Sequence, residues 1–156
     1  MQVAQFKLFE FESSAHQDKR LRDASPYGHF KTWRCLRLIV KSGDDLRSEQ
    51  FAMQLIETID LIFKKRKLKL KLTPYEILST GPNVGIVEFI PDAFSIDYIK
   101  KQLEPEMDLG DFYRLRFGEK GLAKAVDNLA DSLAAYSLVC YILQIKDRHN
   151  ANILIS

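Results

Sequence analysis

Cysteine is nearly absent. Cys35 and Cys140 are the only two, and both sit inside apolar runs. They read as buried, reduced thiols of a cytosolic protein rather than as a disulfide framework. No Cys/His set has the spacing of zinc ligands. No uncharged apolar run approaches the roughly 20 residues that a membrane span needs. The start, Met1 to Phe6, lacks a basic segment followed by an apolar core, so it is not a secretory signal. A large charge of one sign is also missing: 23 Lys and Arg face 21 Asp and Glu, for a net +2. Such a balance demands no nucleic-acid partner. Internal repeats and low-complexity tracts are absent too.

What is present fits one soluble globular domain: 156 residues, 46% hydrophobic and 28% charged. Residues 13–29 are polar and read as loop with a short helix. Residues 34–41 read as a strand, which Ser42-Gly43-Asp44-Asp45 ends while capping a helix. In that helix Phe51, Leu55, Ile59 and Ile62 recur at helical spacing, and Lys64 to Lys67 mark its end. Leu68 to Leu72 alternate with period two, as a strand does. Strands over 75–80 and 85–90 form a hairpin around Gly81-Pro82-Asn83. A short helix is expected over 94–103, loop over 104–121, and a long helix over 122–145. From Leu129 that helix is apolar on most sides and is expected to be buried all round, Tyr136 and Tyr141 included. A strand over 152–155 follows. The sequence stops inside it at Ser156, which suggests truncation. A strand-rich first part followed by a helical part predicts an α+β, two-lobed architecture.

The densest chemistry is Asp147-Arg148-His149-Asn150-Ala151-Asn152, placed between a buried helix and an apolar strand. Any one of these residues is ordinary in a helix cap and polar turn. Together they supply what phosphoryl transfer uses: a base or orienting group, a cation, and an oxygen ligand for Mg²⁺. Lys41 at the end of a strand, before Gly43-Asp44-Asp45, can pair with nucleotide phosphates, although most strand-end lysines are simply solvated. The run Lys64 to Lys67 reads as a solvated helix end, with a membrane contact as its alternative.

Several stretches then resemble one family in the right order: Ser25-Pro26-Tyr27-Gly28-His29, Trp33-Arg34, Val40 to Arg47, Pro74 to Leu78, Ile86 to Pro91, and Ala135 to Leu154. Over residues 25–156 the sequence resembles the phosphatidylinositol 3-/4-kinase superfamily, and within it the beta kind of type III phosphatidylinositol 4-kinases. Lys146 before the Asp-Arg-His and Asn150 after it resemble the 4-kinases rather than the lipid 3-kinases or the protein-directed members.

The resemblance implies a kinase-like fold truncated in its C-lobe. Residues 1–88 would be an ATP-binding N-lobe, and 89–156 the hinge and partial helical C-lobe. It implies that Lys41 contacts the ATP phosphates, that Glu49 belongs to the polar network near Lys41, and that Tyr75 lines the pocket. The Glu88-Phe89-Ile90 backbone would be the adenine-binding hinge. His149 would act as general base on the inositol 4-hydroxyl or orient it, Asp147 and Arg148 would hold the loop, and Asn152 would ligate Mg²⁺, or Mn²⁺ in its stead. Expected partners are ATP, phosphatidylinositol in a membrane surface and adaptor proteins, with no nucleic acid. The expected location is cytoplasmic, peripheral on Golgi or endosomal membranes. Ser48 and Ala151 depart from the family's usual Gln and Gly. The family's metal-binding Asp-Phe-Gly belongs within about 15 residues of Asn152, and only four residues follow Asn152 in this sequence. The chain alone is therefore expected to be inactive, with a last strand that lacks a partner. The alternative is a kinase-derived fragment that at most binds nucleotide or a partner.

Overall fold

The structure, a computed structural model, describes residues 12–156. Residues 1–11, the start of the expected N-lobe, lie outside the described residues. Helix α1 (Ser14–Ala24) is capped by Ser13, whose hydroxyl accepts the His16 N–H. After it the chain folds back: Arg22 Nε donates to Gly28 O at 2.7 Å, and the Arg22 guanidinium lies over the Trp33 ring. A Cβ on Gly28 would sit 1.9 Å from Arg22 O, so only glycine fits there.

Strands β1 (Leu38–Ser42), β2 (Ile77–Gly81) and β3 (Val84–Glu88) form an antiparallel sheet in the order β1-β3-β2. Helix α2 (Arg47–Lys65) crosses between β1 and β2 in sequence. Its N-cap is Leu46 and no side chain caps it. Asp45 instead accepts both the backbone and the guanidinium of Arg47, and that side-chain bond holds its carboxyl down to about 2.

The alternation over 68–72 is not a strand. Its period-two pattern serves side-chain packing instead: Leu70 and Leu72 face Ile56 and Phe63 of α2, with Leu68 exposed. Neighbouring Thr73 is tied to a tyrosine by both backbone groups, its N–H donating to Tyr136 Oη and its O accepting from it, at 3.0 and 3.1 Å. Burial lifts the Tyr136 phenol above its ordinary range.

The expected loop over 104–121 is mostly helix. Helix α4 (Leu109–Leu143) starts at a reciprocal capping box between Asp108 and Asp111. Gly118, at φ 60° and ψ 178°, breaks it in two. That backbone region is essentially open to glycine alone. In this stretch Gly118 thus marks a helix break, not a loop, while Gly110 and Gly121 lie within helix. The C-terminal half buries one stripe only. Ala135 and Val139 are fully buried in the core they share with Ile56 and Phe63 of α2. The opposite side is open: Tyr141 is 76% exposed, with Leu133, Leu138 and Ile142 exposed beside it. The helix is therefore not buried all round, and Cys140, like Cys35, is only half-buried. A sequence pattern shows which sides are apolar, but tertiary neighbours decide which are covered.

Helix α3 (Ile96–Gln102) follows strand β4 (Phe94–Ser95), and β5 (Leu154–Ile155) ends the chain. The last strand does have a partner: β5 pairs antiparallel with β4, Phe94 with Ile155 and Ser95 with Leu154. A second core of Ile99, Phe112, Tyr113 and Ala125 packs beneath this pair.

Lys67 follows the end of α2 in the left-handed region, at φ 54°. There Leu68 N–H reaches back to Phe63 O at 3.0 Å. Glycine normally takes this position because other residues pay about 1 kcal/mol. Lys67→Gly is expected to raise stability by about 0.5–1 kcal/mol, measured by urea unfolding.

Candidate active site

The loop after α4 is built by backbone torsion and capping. Gln144 and Asp147 both adopt the left-handed conformation, at φ 54° and φ 59°. The first turns the chain out of the helix and the second turns it again into the loop. His149 then caps a 3-10 turn over Asn150–Asn152, its Nδ1 accepting the Ala151 N–H at 3.2 Å. Asn152 N–H donates to His149 O at 2.9 Å. The Asn152 amide nitrogen donates to Asp147 O at 3.0 Å and to Asp147 Oδ2 at 3.3 Å. Arg148 Nε donates to Lys146 O at 3.0 Å, closing the loop's other side.

Two consequences follow. Because Nδ1 accepts a backbone N–H, a neutral His149 ring carries its hydrogen on Nε2. Nε2 is then a donor. It lies 3.7 Å from Asp147 Oδ1 and 3.2 Å from the Asn152 amide nitrogen. Secondly, with its nitrogen anchored, Asn152 turns its Oδ1 outward, and that oxygen receives no hydrogen bond among the described residues. An outward amide oxygen is a suitable hard ligand for Mg²⁺. It is one ligand only. Among the described residues no group of three or more His, Cys, Asp or Glu can hold a metal ion.

The expected nucleotide residues lie around the three-stranded sheet. Lys41 sits on β1 opposite Gly85, with Nζ 3.8 Å from Asp44 Oδ2 and both side chains largely exposed. Its ion pair is with Asp44 and not with Glu49, which is exposed in the first turn of α2. From α2 it is Gln50 that hydrogen-bonds to the sheet, its Oε1 accepting the Ser79 N–H at 3.0 Å. Nothing in the helical pattern separated Gln50 from its polar neighbours. Tyr75 is half-buried, near enough to Tyr136 to push its phenol up further.

In the expected hinge, two of three N–H groups are already used. Glu88 N–H donates to Glu76 O at 2.8 Å, and Phe89 N–H to Arg37 O at 3.3 Å. Ile90 N–H has no partner among the described residues. The Glu88 carboxylate accepts the Glu76 N–H at 2.9 Å, so the side chain stiffens the strand end. The hinge and the loop meet through β4 and β5, helped by Ile96 N–H donating to Ile153 O at 3.0 Å. Surface depressions along α1, by Glu12 and His16, and beside Leu122 of α4 contain none of these site residues.

Helix α1 grips the far end of the hinge. Asp92, at φ 52°, accepts the Ser14 N–H at 2.9 Å and the Ser14 hydroxyl at 2.5 Å. Arg37 donates to Ser14 O at 3.0 Å and pairs with Asp18 at 2.7 Å, while its own carbonyl holds Phe89. No sequence signal links Ser14 with Asp92, 78 residues away.

The phosphatidylinositol 3- and 4-kinase family matches residues 36–156, and the chain belongs to that family. A phosphatidylinositol 4-kinase of Dictyostelium discoideum is 46% identical over 92% of this chain and 12% of its own length. Phosphatidylinositol 4-kinase PIK1 of Saccharomyces cerevisiae is 41% identical over 92% of this chain and 15% of its own. Phosphatidylinositol 4-kinase beta of Xenopus tropicalis is 41% identical over 88% and 17%. The chain thus spans less than a fifth of these curated relatives.

The Ser14 hydrogen bonds hold the Asp92 carboxyl below its ordinary range. A lowered carboxylate contributes its tie above the unfolded pKa of about 4 and loses it as pH falls through the folded value. The Ser14 amide resonance is expected to titrate below about pH 4 in an NMR pH series. In Asp92→Ala that titration disappears and α1 amides exchange faster.

Proposed function

We propose that this chain is the ATP-binding and catalytic-loop part of a phosphatidylinositol 4-kinase. Such an enzyme transfers the γ-phosphate of ATP to the 4-hydroxyl of phosphatidylinositol at a membrane surface. The observation that carries the proposal is the loop itself, with Asn152 anchored by nitrogen so that Oδ1 faces outward, and His149 fixed with Nε2 as donor. The names of the relatives agree with it. No helix among the described residues is long and apolar enough to cross a membrane, which suits peripheral attachment, on Golgi or endosomal membranes in our reading.

Each side chain then has a task. Lys41 leaves Asp44 for the phosphates, a loose, exposed pair giving way to a stronger partner. Ile90 N–H holds the adenine edge. Asn152 Oδ1 holds Mg²⁺, which compensates phosphate charge when bound. His149 acts first as a hydrogen-bond donor to developing negative charge or to the 4-hydroxyl oxygen, and acts as a base only if it releases the Ala151 N–H. Asp147 and Arg148 keep the loop in register.

With Asn152 as its one outward loop ligand, the chain alone is expected to bind Mg·ATP and to turn over slowly at most. A fragment that binds nucleotide without catalysis is the second reading, and it rests on that same incomplete ligand set.

Two measurements decide. On addition of Mg·ATP the Ile90 amide is expected to gain hydrogen-exchange protection, while Glu88 and Phe89 change little. No Mg-dependent protection or calorimetric binding refutes the nucleotide site. In the complete kinase, the equivalent of His149→Ala is expected to lower turnover of phosphatidylinositol about 10²–10³-fold, and His149→Gln, which keeps a donor, by less. Unchanged turnover in the alanine variant rejects the assigned role.

A further inference from the structure

Positive charge is concentrated in one place that the site does not use. Six of the eight residues from Lys64 to Lys71 are Lys or Arg, with no acid among them. The other 17 Lys and Arg in the chain face 21 Asp and Glu. This one segment therefore carries more than the whole net positive charge of the protein. Two of its cations are engaged: Lys64 with Asp60 at 2.5 Å, and Lys71 with Asn128 Oδ1. Lys65, Arg66, Lys67 and Lys69 are exposed and make no ion pair or hydrogen bond through their side chains among the described residues.

The packing presents them. Phe63, Leu70 and Leu72 point into the core and anchor the segment at both ends, so the cations between them face outward. Beside them lie three exposed aliphatic side chains, Leu61 (60% exposed), Ile62 and Leu68. Aliphatic groups among unpaired cations match an anionic bilayer surface, where the charges meet headgroups and the leucines enter the acyl boundary. A single-stranded nucleic acid site would offer aromatic rings for stacking, and the patch's one aromatic, Phe63, is buried.

We propose that the end of α2 and the turn after it, Leu61 to Lys69, form a docking surface for anionic membrane lipid. The choice of a lipid surface over a soluble polyanion leans on the lipid-kinase reading. The binding itself is independent of turnover.

The test is co-sedimentation of the whole chain with vesicles of phosphatidylcholine alone, or with about one-fifth phosphatidylserine. Binding is expected to be at least about tenfold tighter on the anionic vesicles and to weaken from about 0.1 M to about 1 M salt. Replacing Lys65, Arg66, Lys67 and Lys69 together by Gln removes that preference, whereas Arg at the three lysines preserves it. Leu61→Ala with Leu68→Ala weakens binding on both vesicle types. Thermal unfolding of each variant confirms that the fold is kept. His149→Ala binds vesicles like the parent, so failure of the catalytic proposal leaves this result standing. Equal binding to both vesicles, or an undiminished preference in the Gln variant, overturns the proposal. So does tighter binding to polyuridylate or polyglutamate than to anionic vesicles, which would reassign the patch to a soluble polyanion.

Discussion

The short β4–β5 pair is the contact on which the site depends. It has only two residue pairs, Phe94 with Ile155 and Ser95 with Leu154. Yet β4 begins three residues after Pro91, and β5 begins directly after the loop that holds His149 and Asn152. Pairing them fixes the segment after Pro91 against the exit of the loop, some 60 residues later in the chain. So few strand bonds are weak alone. They are held by the second core, in which Phe94 and Ile155 pack against Ile99, Phe112 and Ala125. Burying such side chains contributes about 1.5–3 kcal/mol each, which far exceeds what two bridge pairs supply. Apolar packing under the pair thus does the holding, and the pair converts that packing into register.

The same logic connects the sheet to the helices. Lys41 and Glu88 belong to the three-stranded sheet, and that sheet is joined to α2 by Gln50 and Ser79. Helix α2 in turn rests on Ala135 and Val139 of α4. The helix that leads into the Asp147–Asn152 loop therefore also supports the helix packed on the sheet that carries Lys41 and Glu88. A change of volume at Ala135 would be felt at both ends, because cores pack too densely to absorb an added methylene locally.

The sequence was legible where chemistry and local geometry coincide. The run from Asp147 to Asn152 stood out because polar types were concentrated between a helix and a strand, and the structure makes it one hydrogen-bonded unit. The helix over 47–65 and the hairpin were legible from periodicity and turn residues. Residues 68–72 were misread because alternation reports only that every second side chain faces something apolar; here it faces two helices and no strand ladder. Residues 104–121 were misread because Gly110, Gly118 and Gly121 weigh against helix in any local scale. The Asp108–Asp111 capping box was the signal that could have found the start of α4. The Ser14–Asp92 tie was beyond reach, since neither residue carries a local pattern and 78 residues separate them.

Backbone strain and loop geometry meet at Asp147. A left-handed backbone costs a non-glycine residue about 1 kcal/mol, less for Asp than for branched types. What it gains is orientation. With Asp147 in that conformation, its carbonyl and carboxylate both face the Asn152 amide nitrogen, and the carboxylate also lies beside His149 Nε2. One residue thereby determines which atom of Asn152 faces outward and which negative group lies nearest the imidazole. An extended Asp147 would leave the Asn152 amide free to rotate, and a rotated amide presents hydrogens where a cation needs an oxygen. The acid at the head of the loop thus sets the geometry of the amide five residues later: its backbone turns, and its carbonyl and carboxylate then hold the Asn152 nitrogen.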